Sequence, residues 1–243
     1  MTLAIAICPS LQDRNVSNLQ PDSFPPYNEA GSNQWFAREK LLPAMLAVGV
    51  KAAVFAPWNE SEDGDHDGPL SGLREQMRLA KEFLDHRDDG KPAVLSLHTD
   101  SGAVGHTFGL HGLNLDREME SARMAHDVAS RVTRVFSRRH YAVFTRIGDK
   151  DYSQYIFWVN TAPYTSMLLE MCSHQNREDL ATLYSQPDAV AAAIVQGVLA
   201  WGLEAAAAPT SPPSGDGARI KRIVGHLNAA VGEINQWAEG LPT

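Results

Sequence analysis

The chain has 243 residues and a formal net charge of -8, with 44% apolar and 21% charged residues, an ordinary composition for a globular protein. At roughly 150 residues per domain, that length suits one main domain with an appendage. No lysine- or arginine-rich block occurs, which excludes nucleic acid and anionic membrane as main partners, because such binding rests on basic side chains that neutralise phosphates.

The start, MTLAIAICPS, lacks a positively charged leader and reads as a first β-strand rather than a secretory signal. The expectation is a cytoplasmic protein. No apolar run approaches the roughly 20 residues that span a bilayer, so no membrane span is expected. Cys8 and Cys172 end apolar runs and read as buried thiols near neighbouring strand ends, not as a disulfide framework.

Four apolar runs, at 3 to 8, 51 to 56, 92 to 98 and 165 to 171, read as strands buried on both faces. Between them lie helical segments. Residues 33 to 49 contain Pro43, which should kink or restart that helix. A second helix spans 73 to 86. A third covers 121 to 136, where Ala125, Val128, Val132 and Val135 mark its buried face. A long helix begins at Pro187. Strands alternating with helices predict an α/β fold, with a mostly parallel, mixed sheet and helices on both faces. Right-handed crossovers then place the active edge at the carboxyl ends of the strands, where Pro9, His98 and Glu170 emerge.

The main domain is expected over residues 1–207, and the proline- and serine-rich stretch 208–217 reads as a linker. In 218–240, Ile220, Ile223, Leu227, Ala230, Ile234 and Trp237 recur at steps of three and four, which makes a narrow apolar stripe on a helix. That stripe suits docking on the parent domain, or self-association into a homo-oligomer.

The strand ends carry the candidate chemistry. After the first strand come Gln12, Asp13 and Asn15; Glu29 precedes the first helix, where the dipole favours its charge. His98 ends the run VLSLH, and Glu170 stands inside an apolar run. A carboxylate there is desolvated, at a cost of several kcal/mol, unless a nearby cation or a proton offsets it. Together these residues make the parts of a mononuclear zinc hydrolase: imidazole and carboxylate ligands, a water, and a second carboxylate to handle protons.

The stretch from 3 to about 203 resembles the zinc-dependent N-acetylmuramoyl-L-alanine amidases, type 3. SLHTD (96–100) matches the histidine motif of that family, and PYTSMLLEMCSHQNREDLATL (163–183) matches its late glutamate segment. The resemblance implies a Zn²⁺ cofactor with His98 and Glu29 as ligands, Glu170 as general acid/base, a helix after NREDL, and peptidoglycan or a muropeptide as substrate. It also requires release or export of the protein to reach the cell wall. The family's Gly-His-Gly at the end of strand one is replaced here by PSLQDRN. That sequence resembles a subset with Pro-Ser-x-Gln-x-x-Asn, which puts Gln12 in the third ligand position, although an amide oxygen is a poorer zinc donor than imidazole. His174 and Cys172, which alternate onto the side of Glu170 if the strand persists, and His106 and His111 are further candidates. Two alternatives stay open: a zinc amidohydrolase of small N-acyl amino acids, and a non-catalytic pseudo-amidase that binds wall fragments. Asp63, Asp65, Asp67 and Gly68 open like a calcium loop, but Arg74 stands where the closing glutamate is needed, so a solvated loop is expected.

Overall fold

Leu3, Ile5 and Ile7 alternate with Ala4, Ala6 and Cys8, and both sets are buried. A strand whose two faces are both apolar needs cover on both sides. In the computed structural model, which describes residues 2–68, 70–86, 90–101, 107–111, 118–136, 142–144, 146–147, 150–151 and 164–207, it has that cover. The 208–217 linker, the 218–240 helix and His106 lie outside the described residues.

Along the chain run β1 (Thr2–Pro9), β2 (Val16–Ser17), β3 (Tyr27–Asn28), α1 (Glu29–Phe36), a π-helical turn (Ala37–Leu41), α2 (Leu42–Ala47), β4 (Lys51–Val54) and a 3-10 turn (Glu60–Asp65). Then follow α3 (Ser71–Asp85), β5 (Gly90–Asp100), β6 (Phe108–His111), α4 (Glu118–Val135), β7 (Ala142–Phe144), β8 (Arg146–Ile147) and β9 (Lys150–Asp151). Last come β10 (Thr165–Ser173), α5 (Arg177–Ser185) and α6 (Pro187–Ala207). No described helix is long and apolar enough to cross a membrane.

The main sheet has the order β4-β1-β5-β10-β6-β7. The first four strands are parallel, β6 runs antiparallel to β10, and β7 lies parallel to β6. The expected mixed α/β sheet is therefore observed. Its last two strands, β6 and the edge strand β7, come from a glycine-rich and a short segment that carry no strong strand pattern.

On one face, Leu3, Ile5, Ile7, Leu95, Leu97, Met167 and Leu169 pack with Phe36, Leu41 and Met45, with Met124, Val128 and Val132 of α4, and with Val190, Ile194 and Trp201 of α6. On the other, Ala4, Ala6, Cys8, Val94 and Leu168 meet Ala80 and Leu84 of α3. Each fully buried aliphatic side chain contributes about 1.5–3 kcal/mol. Cys8 and Cys172 belong to these opposite clusters, so no disulfide joins them.

The expected restart at Pro43 occurs with a twist. Pro43 falls in the first turn of α2 and is preceded by the π-helical turn, a register in which a backbone lacking one N–H donor is accommodated.

Helix α6 crosses α4 at Gly197. A Cβ there would stand 2.6 Å from Val128 Cα and 2.8 Å from the Asp127 carbonyl oxygen. Gly197→Ala is therefore expected to destabilise the protein by about 1–3 kcal/mol through overpacking, outweighing the roughly 1 kcal/mol that alanine gains in helix propensity. Gly64 has nothing within 4 Å of its would-be Cβ, so Gly64→Ala should stay within about 0.5 kcal/mol of wild type. Urea unfolding of both variants checks the contrast.

Candidate active site

Helix N-termini leave backbone N–H groups without intrahelical partners, and in α1 the loop after β1 supplies them. Glu29 N donates to the Asn15 carbonyl at 2.9 Å and Ala30 N to the Gln12 carbonyl at 3.3 Å. Gly31 N donates to Asn28 Oδ1 at 2.8 Å, so Asn28 is the N-cap, and its amide also donates to the Asp13 carbonyl. This cap starts the helix at Glu29 rather than at residue 33, where periodicity alone placed it. Glu29 thus lies in the first turn of α1 with only 1% of its surface exposed, where the helix dipole favours its negative charge.

Glu29 Oε1 lies 3.1 Å from His98 Nδ1. Glu29 Oε2 accepts from Asn15 Nδ2 at 2.7 Å, and the same amide donates to Gln12 Oε1 at 2.8 Å. His98 is the register partner of Glu170 across β5 and β10, and paired strands run about 4.8 Å apart. Glu170 Oε2 is buried and has no hydrogen-bond partner among the described residues. The four residues singled out from the sequence, Gln12, Glu29, His98 and Glu170, therefore meet at the carboxyl edge of the sheet.

Their electrostatics divide the two carboxyls. Burial pushes the Glu29 carboxyl up, but the hydrogen bond and charge of His98, with donation from Asn15 and Ser10, outweigh it and leave Glu29 below the usual range. Burial would lower the His98 imidazole, but Glu29, and then Glu170, raise it above its ordinary value. For Glu170, burial together with repulsion from Glu29 and Asp100 exceeds the attraction of His98, and its carboxyl is pushed up to about 8. Carboxyls driven apart in this way are suited to different tasks, one holding charge and one carrying a proton. In the metal-free protein, the folded state keeps on Glu170 a proton that the unfolded chain releases. The stability this confers is complete below pH 4.5 and is lost as pH rises through about 8. Thermal unfolding across that window should show Glu170→Gln gaining on wild type as pH rises; parallel curves would contradict the assignment.

The further candidates separate. His174 is buried, its ring stacked on Tyr27 with centroids 5.4 Å apart and its Nδ1 3.2 Å from the Thr99 carbonyl oxygen. Cys172 does not alternate onto the side of Glu170. One extra residue in β10 between Glu170 and Ser173 shifts the register, and Cys172 turns into the core. His111 lies opposite Met167, three register steps from Glu170. The acidic loop has a structural role. Asp63 accepts from Gly72 N at 2.8 Å, Ser71 Oγ at 2.9 Å and Leu70 N at 3.0 Å, satisfying donors at the start of α3. Burial alone would raise the Asp63 carboxyl, but these bonds hold it below its ordinary value.

Three residues of the site carry little signal in sequence. Asn15 stands in the PSLQDRN segment, but its bridging role depends on a helix 14 residues away. Tyr27 and Thr99, each close in sequence to a site residue, join through their hydroxyls behind Glu29 and His98.

Among the described residues, no three His, Cys, Asp or Glu side chains group to hold a metal ion. Glu29 and His98 are two such donors, and the Gln12 amide oxygen is the third within the cluster. Carboxylate, imidazole and amide oxygen are donor types that a mononuclear zinc site accepts, with the amide weaker than usual.

No family model matches the chain, and no curated protein matches it in sequence. Solved structures do match in fold. The CwlD amidase from Clostridioides difficile, determined in complex with the GerS lipoprotein, superposes with a TM-score of 0.59 at 14% identity, covering 84% of this chain and 100% of that one. The N-acetylmuramyl-L-alanine amidase Ami1 from Mycobacterium smegmatis gives 0.57 at 18% identity, covering 83% and 97%. The N-acetylmuramoyl-L-alanine amidase AmiC2 of Nostoc punctiforme gives 0.54 at 15%, covering 82% and 96%. The chain therefore has the fold of the N-acetylmuramoyl-L-alanine amidases.

Proposed function

We propose that the protein is a zinc-dependent hydrolase that cleaves the amide bond between N-acetylmuramic acid and L-alanine in peptidoglycan or its muropeptides. One observation supports this above the others: Glu29, His98 and Glu170, from α1, β5 and β10, converge at one edge of a sheet that has the amidase fold.

Glu29, His98 and Gln12 are the residues that would hold the ion. Bound there, zinc would polarise the scissile carbonyl and lower the pKa of a water. Glu29, held ionised by His98 and Asn15, keeps negative charge at the site. Glu170 receives the proton of the attacking water at Oε2, the oxygen without a partner, and returns it to the leaving amine of L-alanine. In the metal-free protein burial raises this carboxyl and His98 limits the rise, which leaves it at about 8, near enough to neutral pH for one group to take up a proton and give it back.

The test is the release of free alanine amino groups from purified peptidoglycan. Glu170→Ala should lower the rate by about 10²–10⁴-fold, the usual worth of a positioned acid/base, with the zinc content unchanged. An unchanged rate would refute the role of Glu170. Hydrolysis of small N-acyl amino acids with no release from peptidoglycan would move the assignment to that smaller substrate class.

A further inference from the structure

We infer that Asn15 is a positioning residue that presents Gln12 and Glu29, each through a single oxygen, to the ion. The inference rests on the reading of these two residues as zinc ligands.

An amide NH₂ has two donors, and the geometry uses both: Asn15 Nδ2 donates to Glu29 Oε2 at 2.7 Å and to Gln12 Oε1 at 2.8 Å. The first bond occupies Oε2 and leaves Oε1 to face His98, whose Nδ1 lies 3.1 Å away. The second sets the flip of the Gln12 amide. With the amino group of Asn15 as its neighbour, Gln12 turns its carbonyl oxygen toward the residue that also holds Glu29, and a carbonyl oxygen has a second lone pair. Turned the other way, Gln12 would present N–H groups, which repel a cation. A weak donor thus gains from being pre-oriented, because the cost of ordering a flexible, exposed glutamine is met before the ion arrives.

The grip has a second part. The Asn15 carbonyl accepts the Glu29 N–H at 2.9 Å, so the loop stays fastened to α1 even when the side chain is changed. Asn15 is exposed, and its replacement should leave the core intact. These two facts separate positioning from general stability.

The experiment measures zinc affinity by chelator competition on the full chain, for wild type, Asn15→Ala and the near-isosteric Asn15→Leu, together with the unfolding midpoint of each metal-free protein. Both variants should bind zinc about 10–100-fold more weakly, the usual effect of removing a residue that orients a ligand, with metal-free midpoints close to wild type. The cobalt(II)-loaded forms should differ from wild type in visible absorption, since the ligand set is disordered. In Gln12→Ala, adding Asn15→Ala should cost less than it does in wild type, because part of its effect runs through Gln12. A wild type that loads one zinc alongside variants of equal affinity would overturn the role of Asn15 and leave the ligand assignment standing. A wild type that binds no zinc would overturn both.

Discussion

The site depends on the in-register parallel pairing of β5 with β10, which sets Glu170 beside His98. Leu95, Leu97, Met167 and Leu169 fill one helical layer and Val94 and Leu168 the other, so slipping either strand by one residue would exchange these sets and unpack both layers. The register is thereby held by the core. The irregularity in β10 comes only after Glu170, so it redirects the downstream residues without disturbing the pair. Ser173 then donates its N–H to Asp179 Oδ2 at 2.7 Å, and Asn176 caps α5 by accepting from Asp179 N at 3.1 Å. One extra residue converts a strand end into the start of the next helix.

The opposite wall is built from the α1 terminus. An exposed loop and a buried carboxylate are tied together by backbone and side-chain hydrogen bonds, and Tyr27 and Thr99 back them. Charge follows from this arrangement. The carboxylate with donors remains ionised, and the carboxylate without them takes a proton. His98 lies between the two and is drawn toward its charged form by both. The same physics accounts for Asp63, whose low carboxyl reflects donors at the start of α3 that outweigh its burial.

Much of this was legible in the sequence, for definite reasons. Runs of apolar residues buried on both faces identify parallel strands, and His98 and Glu170 stand out because each interrupts such a run. Glu29 was legible through the family resemblance and not through periodicity, since helical spacing begins only at residue 33 and the cap at Asn28 extends the helix backward. Cys172 was misplaced because strict alternation assumes an unbroken ladder, and a bulge leaves no mark in hydropathy. Strand β6 was missed because its segment is glycine-rich and short. The bridge made by Asn15 was not legible either. It joins a loop to a helix across an intervening hairpin of β2 and β3, and no local pattern records such a contact.

The Pro-Ser-x-Gln-x-x-Asn segment is a hydrogen-bonded unit built around Glu29. Ser10, Gln12 and Asn15 all bear on Glu29 or on one another, so in the proposed zinc site the loop would trade one strong donor for a weaker one with its orientation built in. The most direct measurement is an anomalous difference map at the zinc edge from crystals grown with the ion. The account predicts one peak within about 2.0–2.2 Å of Glu29 Oε1 and of a His98 ring nitrogen, with the Glu170 carboxyl alongside. A peak elsewhere on the molecule, or none with these three side chains drawn apart, would contradict it.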